Sequence, residues 1–150
     1  MAHILAAVDL SDVTTAVIAQ AELIAQALGA KIALLYVADP NAEDLIGFGT
    51  RTAARAISHL DEQRAHLEKL AAEIRYRGIH TDAVFIEGPT AKTILHEADA
   101  RDVSMIVLGS HGHGMLYHAL VGGTSGAVIK ASRRPVLVVP DPRPERREND

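Results

Sequence analysis

The sequence predicts a single α/β domain: a doubly wound, five-stranded parallel sheet of strand order 3-2-1-4-5, with helices on both faces. Three observations point there. Short apolar runs alternate, five times over, with segments of helical periodicity, as parallel strands joined by right-handed crossovers require. Runs such as KIALLYV and PVLVVP are nearly continuous in apolar residues, as strands covered on both sides are. Glycine and proline stand at the junctions between runs, where turns and helix ends need them.

HILAAV (His3 to Val8) reads as the first strand, with Asp9 and Ser11 after it as candidate helix caps. Val13, Ala16, Val17, Ala21, Ile24, Ala25 and Leu28 mark one face of a helix that Gly29 ends. Lys31 to Val37 is the second strand. A connector from Ala38 to about Thr50 follows, long enough to suggest a lid or a binding loop as well as a surface turn. Ile57, Leu60, Leu67, Leu70 and Ile74 give the stripe of a second helix, which Gly78 stops. Thr81 to Ile86 is the third strand. Gly88 and Pro89 turn the chain into a helix with Ile94, Leu95 and Ala98 inward, proline being suited to a first helical turn. Ser104 to Gly109 is the fourth strand, a last helix begins near Thr124, and Pro135 to Pro140 is the fifth strand. The domain spans residues 1–140 and is Rossmann-like in architecture. Residues 141–150 read as a polar, mobile tail.

Composition narrows the function classes. Hydrophobic residues make up 48% and aromatics 3%, so the core is aliphatic, and a net charge of −4 gives no footprint for nucleic acid. The absence of cysteine excludes disulfides and thiolate metal sites. No apolar run reaches the roughly 18 residues of a membrane span. MAHILAAVDLSD has no basic region before its apolar stretch, which argues against a signal peptide. A cytoplasmic protein, off the membrane, is expected.

In open sheets of this kind ligands bind beyond the carboxyl ends of the strands, where the strand order reverses. That crevice lies between strands one and four, and Asp9 and Gly109 each follow one of them. The stretch GSHGHGMLYHALVGGTSGAVIK, from Gly109 to Lys130, holds six of the eleven glycines. Gly122, Gly123, Thr124, Ser125 and Gly126 lead into the last helix, whose first amides lack partners within it and whose dipole favours an anion. Glycine lets that anion approach the backbone, and Thr124 and Ser125 add hydroxyl donors. The stretch therefore reads as a phosphate cradle built mostly of backbone. It is not the Walker loop, which needs Gly, four residues, then Gly-Lys-Ser/Thr, and it lacks the spacing of the dinucleotide fingerprint.

With these residues in view, the chain resembles the universal stress protein family. The family's signature after the fourth strand is Gly, two residues, Gly, nine residues, Gly, then Ser or Thr. Gly109, Gly112 and Gly122 keep those spacings, and the likeness runs from AAVDLSD to RRPVLVVP. The resemblance implies a bound adenine nucleotide, ATP or AMP, with Mg²⁺ a candidate companion. It implies that Asp9 contacts the adenosine, that Val37 offers its backbone to the adenine, and that Ala7, Val8 and Leu108 wall the base. Gly109 and Gly112 would line ribose and phosphates, and Gly122 with the residues after it would hold the phosphate tail. Gly123 stands where the pattern has Ser or Thr. The lost hydroxyl removes a hydrogen bond worth about 0.5–1.5 kcal/mol, which weakens triphosphate binding without abolishing it, and leaves the choice between AMP and ATP open.

His111, His113 and His118 have the look of a zinc site, but no well-placed carboxylate joins them. His111 and His113 read instead as polar residues flanking the phosphates. HGHG also matches a histidine motif of nucleotidyltransferases, yet there it follows the first strand. PVLVVP would be an apolar edge strand, a liability unless paired. The family pairs it with the same strand of a second copy, so a homodimer through Pro135–Pro140 is expected. The function expected is a nucleotide-dependent regulatory switch, read by protein partners that the sequence does not name. The rival readings are a slow ATPase, for which Asp9 is the one placed carboxylate, and an interaction module that needs no nucleotide.

Overall fold

A computed structural model describes residues 1–40, 53–110 and 123–142. The elements run β1 (His3–Val8), α1 (Thr14–Leu28), β2 (Lys31–Ala38), α2 (Ala53–Tyr76), β3 (Thr81–Glu87), α3 (Thr90–Ala100), β4 (Met105–Gly109), α4 (Thr124–Ala131) and β5 (Val136–Val139). All strands pair in parallel, in the order β3-β2-β1-β4-β5, as the sequence predicts. Most of the predicted connector, residues 41–50, and the tail 143–150 lie outside the described residues.

The sheet separates two cores. Ile4, Ala6 and Val8 of β1 face a layer with Val17, Ala21 and Ala25 of α1 and Leu67, Ala71 and Ile74 of α2. Leu5 faces the other layer with Ile94 and Ala98 of α3 and Val128 of α4. The alternation follows from the two-residue period of a strand. Both ends of the β1 register are fixed: His3 sits opposite Lys31, and Ala7 sits opposite both Leu35 and Leu108.

Three local expectations are corrected. Asp9 and Ser11 do not cap α1. Its N-cap is Val13, with no side-chain cap hydrogen bond, and Asp9 instead accepts from Ser11 in a tight turn. Leu28 is 55% exposed and Ile57 60% exposed, so neither belongs to its helix's buried stripe. At 1.5 Å per residue the 24 residues of α2 span about 36 Å, whereas the seven of β3 span about 23 Å. The residues of α2 buried in the core are Leu67, Ala71 and Ile74, in its second half, whereas Ile57 stands near its start. Pro89 is the N-cap of α3, one step before the helical turn proposed for it. Gly29 does close α1, at φ 62°, with its amide on the Ala25 carbonyl. No described helix is long and apolar enough to cross a membrane.

Candidate functional site

The crevice expected from the topology would lie where the chain leaves β1 and β4, which are adjacent in the sheet. Asp9 is exposed, and its Oδ1 accepts from the Ser11 amide at 2.9 Å and from the Ser11 hydroxyl. Between them Leu10 takes φ 62°, a conformation that disfavours a branched side chain by about 1 kcal/mol or more. The turn directs the chain into α1 immediately beside the end of β4.

Gly109 shows how close that approach is. A Cβ there would lie 2.8 Å from Val13 Cγ1 and 3.2 Å from Val17 Cγ2. Gly109 is thus a glycine because α1 rests on it, a reason independent of any ligand. The next residue, Ser110, is buried, and its amide donates to the Val139 carbonyl at 2.9 Å, with its hydroxyl 3.4 Å from the same oxygen. The end of β4 is therefore held by α1 on one face and by β5 at its side.

On the other face stands α4. Its N-cap, Gly123, is extended (φ −89°, ψ 179°), and among the described residues no side-chain cap hydrogen bond is made to the helix. The Ala127 amide on the Gly123 carbonyl is the first hydrogen bond within the helix seen among the described residues. Thr124 opens the helix and is exposed. Ser125, predicted to be a phosphate donor, is buried, and its hydroxyl donates to the Gly109 carbonyl at 3.2 Å.

The predicted wall of the crevice divides. Ala7, Val37 and Leu108 pack in the same layer as α3 and α4. Val8 faces the opposite layer beneath α1. Its side chain is thus separated by the sheet from the other three. The register of β1 with β2 ends at Val8 opposite Tyr36, so Val37 extends one residue past β1, level with Asp9. The structure brings Ala7, Asp9, Val37, Leu108, Gly109, Gly123 and Thr124 to one end of the sheet, with Ser125 bound to its floor. His111, Gly112, His113, His118 and Gly122 lie outside the described residues. Among the described residues, no cluster of three or more His, Cys, Asp or Glu could hold a metal ion.

Sequence reasoning missed Leu10 and Ser110, and it placed Val13 and Val17 on a helix face without their contact with Gly109. Each acts through a partner distant in sequence or through a backbone angle, and none carries a motif. A groove of about 510 Å³ lies elsewhere, between α2 and β3, lined by Asp61, Arg64, Glu68, Ala83 and Phe85 among others. It contains none of the predicted site residues.

The model of the universal stress protein family matches residues 1–140. A universal stress protein of Methanocaldococcus jannaschii is 30% identical over 139 residues, covering 91% of this chain and 81% of that one. The solved structure of the protein MJ0577 superimposes with a TM-score of 0.75 at 26% identity, over 96% of this chain and 97% of that one. Two further structures share the fold: a universal stress protein in complex with cAMP (TM-score 0.70, 19% identity, 93% of this chain and 97% of that one) and one from Archaeoglobus fulgidus in complex with dAMP (0.65, 20%, 93% and 97%). The chain belongs to the universal stress protein family.

Proposed function

We propose that this protein binds an adenine nucleotide, AMP or ATP, in the crevice between β1 and β4, and works as a regulatory binding protein. The observation that carries the reading is the start of α4: a helix terminus with a glycine N-cap and no side-chain cap, fastened beside the end of β4. Such a terminus presents unpaired amides and the positive end of a dipole to an anion. Ala7, Val37 and Leu108 supply an apolar surface for the base on the same face, and Asp9 is an acceptor for ribose or base donors. His111, Gly112, His113 and Gly122 complete the phosphate side in this reading, and Mg²⁺ arrives with the phosphates. The relatives solved with cAMP and dAMP support the adenylate class.

Binding, rather than hydrolysis, is the function proposed. Asp9 is the carboxylate of the crevice, and its Oδ1 is already held by Ser11. The switch acts in the cytoplasm as a homodimer joined through Pro135–Pro140. The support is that β5 is an outer strand whose Val136, Leu137 and Val138 are only half-buried. A thermal melt tests the nucleotide: ligand at 100 times its Kd adds about 2.7 kcal/mol to stability. No shift with AMP, ADP or ATP would leave the interaction-module reading. Phosphate release from ATP that stops in Asp9→Ala would favour the ATPase. Sedimentation tests the dimer, and a monomer at micromolar concentration would reject it.

A further inference from the structure

The Ser125 hydroxyl spans two elements that the chain connects through 14 intervening positions. It sits at the second position of α4, between the amides of Thr124 and Gly126, and it donates to the carbonyl of Gly109, the last residue of β4. Ser125 is 9% exposed, so this bond is not a casual surface contact. The acceptor is itself closely packed. Val13 and Val17 lie against Gly109 from α1, and the Ser110 amide ties the following peptide to the Val139 carbonyl. α4 is short, eight residues, and among the described residues its first turn has no side-chain cap. Val128 seats α4 in the core, and the Ser125–Gly109 bond is the hydrogen bond among the described residues that ties its first turn to the end of β4.

We infer that Ser125 is a positioning residue for the phosphate end of the nucleotide, clamping the first turn of α4 to the end of β4. The inference rests on the nucleotide reading above. It assigns Ser125 a role different from direct phosphate donation, because a hydroxyl has one proton and this one is given to Gly109. The phosphate meets the backbone amides, and Ser125 fixes where those amides stand. Pre-organisation of this kind changes affinity without a contact to the ligand.

The test compares wild type, Ser125→Ala and Ser125→Thr by calorimetric titration with adenosine, AMP and ATP. Ser125→Ala should weaken AMP and ATP by a similar factor, about two- to tenfold, the range of one neutral hydrogen bond. Adenosine, which does not reach α4, should bind all three proteins alike. Ser125→Thr keeps the hydroxyl and should return AMP and ATP to within about twofold of wild type. Ser125→Cys, nearly isosteric and a weak donor, takes the place of alanine if that variant folds poorly, with the same pattern expected. An unchanged affinity for AMP overturns the inference, as does an equal loss for adenosine. A loss that grows from AMP to ATP overturns it in favour of direct contact with the outer phosphates. Wild type that binds none of the three ligands overturns the nucleotide reading, and this inference with it.

Discussion

The two ends of the sheet are built differently. At the amino end polar groups are tied down. The Arg134 guanidinium donates to the Val103 carbonyl and, at 3.1 Å, to Asp102. Arg75 Nε donates to the Thr81 carbonyl at 2.6 Å, Arg77 bridges to Glu22, and the Ala30 amide returns to Ala25 to close α1. At the carboxyl end the N-caps are Val13, Pro89 and Gly123, and none of α1, α3 or α4 has a side-chain cap hydrogen bond. Caps contribute about 1 kcal/mol each when present. The contrast teaches that, among the described residues, arginine side chains tie elements together at the amino end, while helix starts without side-chain caps stand at the carboxyl end.

Gly109→Ala should break this division most severely, since it puts a methyl group into Val13 at the carboxyl end of the sheet. Overpacking should destabilise the protein by about 1–3 kcal/mol in urea unfolding. Val13→Ala in the same chain should recover part of the loss, and an unaltered midpoint for Gly109→Ala would mean that α1 does not rest on β4. Arg134→Ala tests the opposite end, where the side chain is 22% exposed. It should cost roughly 1–2 kcal/mol, mostly through the orphaned Val103 carbonyl, since exposed ion pairs add little. Lysine at this position should not rescue it, lacking the fork that reaches carbonyl and carboxylate together.

Gly123→Asp sharpens the comparison directly. An aspartate N-cap accepts from the amides of the first turn and places a negative charge on them. Stability should rise by a few tenths of a kcal/mol while AMP affinity falls about tenfold or more, read by melting and titration. If both rise together, the α4 amides are not the phosphate site.

His3 gives the mildest effect. It is buried at the start of β1, Nε2 has no hydrogen-bond partner among the described residues, and burial with the nearby Lys31 charge lowers its pKa below 6.5. Protonation therefore favours the unfolded chain. The stability due to neutral His3 is present above pH 6.5 and is lost as the pH falls from there toward the lower folded value. Urea midpoints of wild type should fall more between pH 7.5 and pH 5 than those of His3→Leu, and parallel curves would remove His3 from the account.

The fold was legible because buried parallel strands carry an unbroken apolar signal and because Gly29, Gly78 and Gly88 punctuate it. The crevice was legible from topology, since Asp9 and Gly109 end adjacent strands. What escaped depended on distances that no spacing encodes. The glycine at 109 answers to Val13 and Val17, and Ser125 answers to the Gly109 carbonyl. Ile57 keeps the helical period of Leu67 and Ile74 yet is exposed, so periodicity alone does not register which turns of α2 reach the core. That Val8 parts from Ala7, by contrast, follows from strand alternation and was available in the sequence.

One carbonyl gives the molecule a mechanical connection. Val139 takes the Ser110 amide just past the strand that floors the crevice, yet Val139 itself belongs to the rim of the sheet. Any shift of the peptide at 109–110 must drag that rim or sever the link. The bond thus carries the β4–β5 ladder one residue beyond the end of β4, so that the peptide after Gly109 stays fastened to the outer border.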